Sequence, residues 1–321
     1  YCRPITFHRH EGNFSVTLPD GEAISVSGAN DAELEGQLKN LQGLQQALEF
    51  YRLACTPKYT DKGRPDPDSY QGSMLDWAIA QLEDLRCDVP NAGGLVIAPS
   101  IEIAEYMAEL IEILDDEKPI LIHSQMANAD QKIKAFRQNR KKWIVSVAMI
   151  SEGVDIKRLR VLVYLPNSQT ELSFRQAMGR VVRTLGPDDY SRAYVVMPTH
   201  RTFEQYARRV EQEMSPDQRD QRQTRSHKLC PICEEQCERS AKECPSCGYE
   251  FPGGQPRYKT CDQCDKQNPV NVEQCQFCGH SFKHDFEVNL NEALRVGAIV
   301  RGMDLDEEEV VEGEKYKRNI S

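Results

Sequence analysis

No stretch of this sequence approaches the run of about 18 apolar residues that a membrane-spanning helix needs, and its polar opening Tyr1-Cys2-Arg3 has no apolar signal block. We therefore expect no membrane association and a cytoplasmic location. Positive charge is in deficit too: 40 Lys and Arg stand against 50 Asp and Glu, a formal net charge of −10. Any contact with a polyanion must therefore use local patches. An initiator methionine is also lacking and the chain enters a strand-like segment at once, so we expect a natural N-terminal portion before Tyr1. What is present, 321 residues of which 39% are hydrophobic and 28% charged, suits two or three compact units.

Residues 1–90 read as a small α+β connector without chemistry of its own. Ile5 to Ser27 alternates between apolar and polar residues, and the turn signals Glu11-Gly12-Asn13 and Pro19-Asp20-Gly21 predict an antiparallel meander. Leu34, Leu38, Leu41, Leu44 and Leu48 recur at helical spacing. Leu75, Ala78, Ile79, Leu82 and Leu85 do so again, after a Pro/Asp/Gly-rich loop from Thr56 to Asp68. Two amphipathic helices are expected there.

From Gly94 the pattern changes to short apolar runs alternating with helical ones, the signature of an α/β unit with a parallel sheet over residues 91–215. The predicted strands are Gly94 to Ala98, Pro119 to His123, Trp143 to Val147, Arg160 to Leu165 and Ala193 to Met197. Between them the helical segments are Ile101 to Leu114, Ala127 to Arg140, Glu171 to Arg183 and Thr202 to Glu213. Such sheets bind ligands beyond the carboxyl ends of their strands.

Two segments lie at such ends. In Ser146 to Ile156 an apolar strand runs into Glu152-Gly153-Val154-Asp155, where the glycine allows close backbone approach and the aspartate could accept from a ribose hydroxyl. A plain surface turn has the same composition. In Gln176 to Arg183, the residues Gln176, Arg180 and Arg183 fall at i, i+4 and i+7 of one helical face, with Gly179 allowing close approach to a neighbour. Two guanidinium groups so placed suit a phosphoryl group. They also suit a solvated basic stripe.

In order and separation, these segments resemble motifs V and VI of superfamily-two helicases of the DEAD/DEAH type. The resemblance covers Gly94 to about Met214 and implies the second of two RecA-like domains. It implies arginine fingers at Arg180 and Arg183, a positioning role for Gln176, and a ribose-side lining by Gly153 and Asp155. It also implies nucleic-acid contacts at Ser100, His123 and Ser124. Val147 stands where many relatives carry threonine. The sequence has no GxxxxGK[ST] loop and no DExH box, because Asp115-Asp116-Glu117-Lys118 falls late in a helix. Binding of ATP with magnesium would then need a preceding RecA-like domain as the second wall, and this chain alone is expected not to hydrolyse ATP.

The cysteines carry a separate signal. Cys230, Cys233, Cys244 and Cys247 form a CxxC pair of pairs, and Cys261, Cys264, Cys275 and Cys278 repeat it at a period of about 31 residues, together with Gly248/Gly279 and Phe251/Phe282. Two zinc ions in closed four-cysteine sites are the expected occupants, in zinc-ribbon or knuckle units at 230–252 and 258–284 after a linker at 216–229. A disulfide framework is the competing reading. Cys237 is either a spare ligand or a loop thiol, and Cys2, Cys55 and Cys87 read as ordinary apolar residues.

Lys132, Lys134, Arg137, Arg140, Lys141 and Lys142 form a candidate basic patch or a solvated face. Tyr249, Tyr258, Phe277 and Phe282 are candidates to stack on bases or to fill the scant core of the zinc units. Residues 285–321 are expected to hold a helix and an acidic tail. The expected function is the C-terminal motor and zinc-binding portion of an ATP-dependent helicase or translocase. DNA is preferred over RNA by analogy with RadD-like bacterial DNA-repair helicases, which carry cysteine knuckles after the motor. A non-catalytic zinc-dependent module binding nucleic acid or protein is the alternative.

Overall fold

The computed structural model describes residues 2–17, 21, 23–27, 50–126, 128–147, 156–167, 169–184, 189, 191–214, 227–230, 232–233, 235–238, 241–251, 257–270, 272, 274–282 and 285–289. Its strands are β1 (Ile5–His10), β2 (Asn13–Thr17), β3 (Ala23–Ser27), β4 (Gly93–Ala98), β5 (Ile120–Ile122), β6 (Trp143–Val147), β7 (Leu159–Tyr164), β8 (Ala193–Pro198), β9 (His227–Leu229), β10 (Gln236–Glu238), β11 (Tyr258–Thr260), β12 (Gln267–Pro269) and β13 (Asp285–Asn289). The helices are α1 (Phe50–Ala54), α2 (Tyr70–Asp88), α3 (Ile101–Asp115), α4 (Ala129–Gln138), α5 (Glu171–Val181) and α6 (Arg201–Glu213).

Six strands form one parallel sheet in the order β1-β8-β7-β4-β6-β5, flanked by helices in an α/β arrangement. Every residue of β4 and β7 is buried, which explains their nearly continuous apolar runs: a central parallel strand is covered on both faces. Adjacent residues of β1 show the two covering layers. Phe7 stacks on Phe174 of α5 with ring centroids 5.9 Å apart, while His8 stacks on Trp77 of α2 at 4.3 Å. Helix α3 lies beside α2, where the Tyr106 hydroxyl donates to Ser69 Oγ at 2.9 Å. The same Ser69 oxygen caps α2 by accepting from the Gly72 amide at 3.0 Å.

The predicted meander holds for β2 and β3, which pair antiparallel, but not for β1, which pairs parallel with β8 at the edge of the main sheet. Its alternation deceives because the polar residues are covered by specific partners rather than by water. His8 lies on Trp77, and Arg9 reaches Glu204 at 2.5 Å and Glu211 at 3.0 Å on α6. The third place in the smaller sheet is filled by β13, which returns from beyond the cysteine-rich units to pair parallel with β2. Phe286 then meets Phe14 at 5.4 Å and Tyr70 at 5.5 Å. Residues 285–289 are thus strand, and the remainder of the expected helix and acidic tail lies outside the described residues, as does the helix expected over Leu34 to Leu48.

Helix α2 also departs from expectation. Instead of one apolar stripe it buries residues around most of its circumference, including Gln71, Gln81 and Arg86. Main-chain carbonyls receive two of these: Gln71 Nε2 donates to Ala54 O at 2.6 Å, and Arg86 Nη1 to Ala92 O at 2.6 Å.

Among the glycines of the sheet, the closest approach is at Gly94, the register partner of Trp143 on β6. A Cβ at Gly94 would lie 2.1 Å from the Trp143 ring, which is fixed by its indole N–H donating to Asp115 Oδ2 at 3.1 Å. Replacing Gly94 by alanine should therefore cost about 1–3 kcal/mol as overpacking of a rigid core. Urea denaturation of the variant beside its parent measures this, and an unchanged midpoint would show that the ring can move away.

Candidate functional site

The carboxyl ends of the central strands carry the first predicted residues. Ser100, just past β4, is exposed, and its hydroxyl accepts from the Ile103 amide at 3.3 Å as the N-cap of α3. His123 and Ser124 follow β5. The Nδ1 of His123 is buried without a hydrogen-bond partner among the described residues, and Ser124 is exposed. Gly153 and Asp155 lie outside the described residues, which resume at Ile156.

Helix α5 starts at a Thr170 cap, whose hydroxyl accepts from Ser173 N at 3.2 Å, and carries Gln176 and Arg180, both half-buried. The expected single helical face stops there. The last residue of α5 is Val181, and Arg183 is exposed on an extended segment in an antiparallel bridge with Cys2. The helix ends early because the N-terminal segment captures its exit: the Arg3 amide donates to Val182 O at 2.7 Å. Gly179 differs from expectation as well, since a Cβ there would meet nothing within 4 Å. The glycine faces open space rather than a neighbouring element among the described residues.

Both cysteine tetrads assemble as the spacing predicts. In the first, Cys230 and Cys247 sulfurs are 3.5 Å apart and those of Cys233 and Cys244 3.6 Å. In the second, Cys261 and Cys278 are at 3.7 Å and Cys264 and Cys275 at 3.5 Å. These separations exclude a disulfide, which needs about 2.05 Å. They fit a zinc-centred tetrahedron, whose edges are about 3.8 Å for Zn–S bonds of about 2.3 Å. None of the 12 cysteines forms a disulfide. Burial disfavours the Cys244 thiolate, but amide donors from Cys247 and Ser246 and the thiols of Cys233 and Cys230 outweigh it and bring the group down to about 6. Cys275 is likewise brought down to about 6, against burial, by the amides of Cys278 and Phe277 and by Asn268 and Cys264.

The repeat extends beyond the ligands. Lys228 Nζ donates to Ala241 O at 2.6 Å and lies 4.0 Å over the Phe251 ring. Lys259 Nζ does the same with Val272 O at 2.6 Å and the Phe282 ring at 4.1 Å. Gly248 and Gly279 close the second turn of each unit at φ of 71° and 74°.

Cys237 and Asn268 occupy the same place in their hairpins, opposite Lys228 and Lys259. Asn268 Nδ2 donates to the Cys275 sulfur at 3.4 Å. Cys237 is no member of the tetrad: burial and then the neighbouring Cys244 push its thiol up to about 11. Asn268 carries no motif of its own, although aligning the two repeats places it beside a ligand.

Both units are docked on the sheet layer. Arg257, before β11, donates to Asp76 of α2 and to Leu114 O of α3, and the Arg140 guanidinium lies 4.5 Å over the Tyr249 ring. The basic cluster is partly spent within the fold: Lys142 pairs with Asp115 at 2.8 Å and Lys141 Nζ with Lys118 O at 3.1 Å, whereas Lys134 and Arg137 are exposed. Among the candidate aromatics, Tyr249 packs on Phe251 and Phe282 lies under Lys259, while Tyr258 and Phe277 are exposed at 54% and 65%.

Residues 77–184, about a third of the chain, match the family model described as helicase conserved C-terminal domain. An uncharacterized protein of Mycobacterium tuberculosis is 31% identical over 193 residues, and one of Mycobacterium leprae is 34% identical over 193 residues. Each alignment covers 60% of this chain and 29% of the relative, so the chain spans less than a third of their length. A protein named putative helicase 22, of a Sulfolobus islandicus filamentous virus, is 29% identical over 108 residues, covering 33% of this chain and 18% of that protein. Solved structures with similarity include Mss116p DEAD-box helicase domain 2 bound to an RNA duplex, at 11% identity and a TM-score of 0.33, covering 44% of this chain and 56% of that one. The C-terminal part of the Fun30 ATPase domain is similar at 14% identity and a TM-score of 0.34, covering 48% and 49%.

Elemental analysis of the purified protein should find two zinc ions per chain. Cys264→Ser should reduce this to one, and Cys237→Ser should leave two; a loss of metal from the Cys237 variant would make that thiol a ligand after all.

Proposed function

We propose that this chain is the C-terminal motor and zinc-binding portion of an ATP-dependent helicase or translocase acting on nucleic acid, with DNA as the preferred substrate. The observation that carries the reading is the helicase C-terminal match, which ends at Thr184, directly after the exposed Arg183. In this reading the guanidinium groups of Arg180 and Arg183 neutralise charge on the transferring γ-phosphoryl group, and Gln176 helps to place it. Gly153 and Asp155 line the ribose side. Magnesium would be held, together with the β- and γ-phosphates, by residues of a preceding RecA-like domain, since this sequence has neither a phosphate loop nor a DExH box. The open space at Gly179 suits the approach of that second wall.

Ser100, His123 and Ser124 stand beyond the carboxyl ends of β4 and β5, where a strand of nucleic acid would run. Two zinc ions close the cysteine tetrads and hold small platforms against α2 and α3. Of the four aromatic candidates, Tyr258 and Phe277 have the exposed ring faces that stacking on unpaired bases needs. Their docking on the motor layer favours a role in guiding the translocated strand over that of an independent binding module.

Full-length protein should hydrolyse ATP with stimulation by single-stranded DNA, and the 321-residue chain alone should not. Arg180→Ala should lower turnover by about a thousandfold, the loss typical of an arginine finger. Hydrolysis that is unaffected by this substitution would remove the motor reading and leave the zinc-dependent binding module in its place.

A further inference from the structure

At the amino ends of β1 and β7 lies a charge cluster that no motif announces. Arg3 and Arg160 have fully buried side chains, and both pair with the same Asp189 oxygen, at 2.9 and 3.0 Å. Ser191 Oγ bridges them, accepting from Arg3 Nη1 at 2.7 Å and from Arg160 Nε at 2.8 Å. One carboxylate cannot occupy all the donors of two guanidinium groups, and an unmet buried donor is costly. Main-chain carbonyls take up others. Arg3 Nη2 also donates to Arg183 O, and Arg160 Nη1 donates to Lys157 O at 2.5 Å and to Leu159 O at 3.0 Å.

The choice of carbonyls matters. Arg183 is the last arginine of the proposed phosphate-contacting pair, and Lys157 lies two residues after Asp155. The segments leaving both proposed nucleotide motifs are therefore tied to one buried carboxylate. Arg3 holds its side from two positions at once, since its main-chain amide also donates to Val182 O at 2.7 Å. Because Arg183 stands beyond the end of α5, the helix itself does not orient its main chain. Arg3 holds it, next to the bridge between Arg183 and Cys2.

We infer that Arg3 and Arg160, joined through Asp189, are positioning residues that fix Arg183 for the ATP site; the inference rests on the reading of Arg183 as a phosphate contact. Neither guanidinium touches the nucleotide in this role. Loss of the arm from Arg3 lets the Arg183 main chain drift, and a displacement of about 1 Å in such a group is enough to lower turnover by about 100-fold.

The test is steady-state ATP hydrolysis by the full-length protein with single-stranded DNA, for Arg3→Lys, Arg183→Ala and the double variant, with thermal midpoints measured in parallel. A lysine keeps the charge opposite Asp189 but cannot hold Asp189, Ser191 and Arg183 O together. Arg183→Ala leaves the main-chain carbonyl, and with it the cluster, in place. We expect Arg3→Lys to lower kcat by about 10- to 100-fold with KM for ATP unchanged, and to cause no further loss in the Arg183→Ala background. Full kcat in a folded Arg3→Lys protein, or losses that multiply in the double variant, would overturn the proposal. Should Arg3→Lys unfold, Asp189→Asn, which keeps the shape and one acceptor oxygen, must give the same pattern or the proposal fails. Full activity of the Arg183→Ala single variant marks the separate failure of the underlying assignment and overturns the proposal with it.

Discussion

The pairing of β1 with β8 is the constraint on which most of this structure depends. A parallel partner cannot be supplied by a hairpin, so β1 is joined to β8, the last strand of the six-stranded sheet in sequence, across nearly the whole α/β layer. With β1 in place, Phe7 closes the layer of α5 and α6, and His8 gives α2 a ring to pack on. The residues just before β1 are then delivered to Val182 and Arg183. The stability of a distant edge contact and the position of a proposed catalytic arginine are in this way one problem rather than two.

Much of the sheet was legible in the sequence because central parallel strands and their crossover helices leave strong periodic marks. Trp143–Val147 and Ala193–Pro198 fall where the apolar runs place them, and α3 and α6 follow the helical spacing closely. What escaped was decided by pairings between distant residues. Strand β1 has the alternation of a half-exposed hairpin strand, and only Glu204, Glu211 and Trp77 reveal that its polar side is covered. Helix α2 reads as amphipathic because Gln71, Gln81 and Arg86 look like solvent-facing residues, whereas carbonyls at helix and strand ends receive the donors of Gln71 and Arg86.

The cysteine units were the most legible part, since a metal-sized tetrad leaves little freedom in spacing. Their supporting contacts were not, although they repeat as faithfully. A lysine over a phenylalanine ring is ordinary surface chemistry until its carbonyl partner is seen. The candidate nucleotide face divides in the same way. The spacing of Gln176 and Arg180 gives a shared helical side, but the departure of Arg183 from the helix depends on Arg3 and Asp189, which no local pattern links to it.

The return of β13 to β2 alters what counts as a module here. In sequence, both cysteine-rich units lie between α6, which contacts β1, and β13, which pairs with β2. A chain truncated after α6 would keep every predicted motor motif and yet leave Phe14 and Tyr70 without Phe286, exposing an aromatic groove along β2. Closure at both ends also holds the two units at a high effective concentration next to α2 and α3, whatever the strength of the individual contacts. The packing around β2 therefore draws on residues from both sides of the cysteine-rich units, and is discontinuous in sequence.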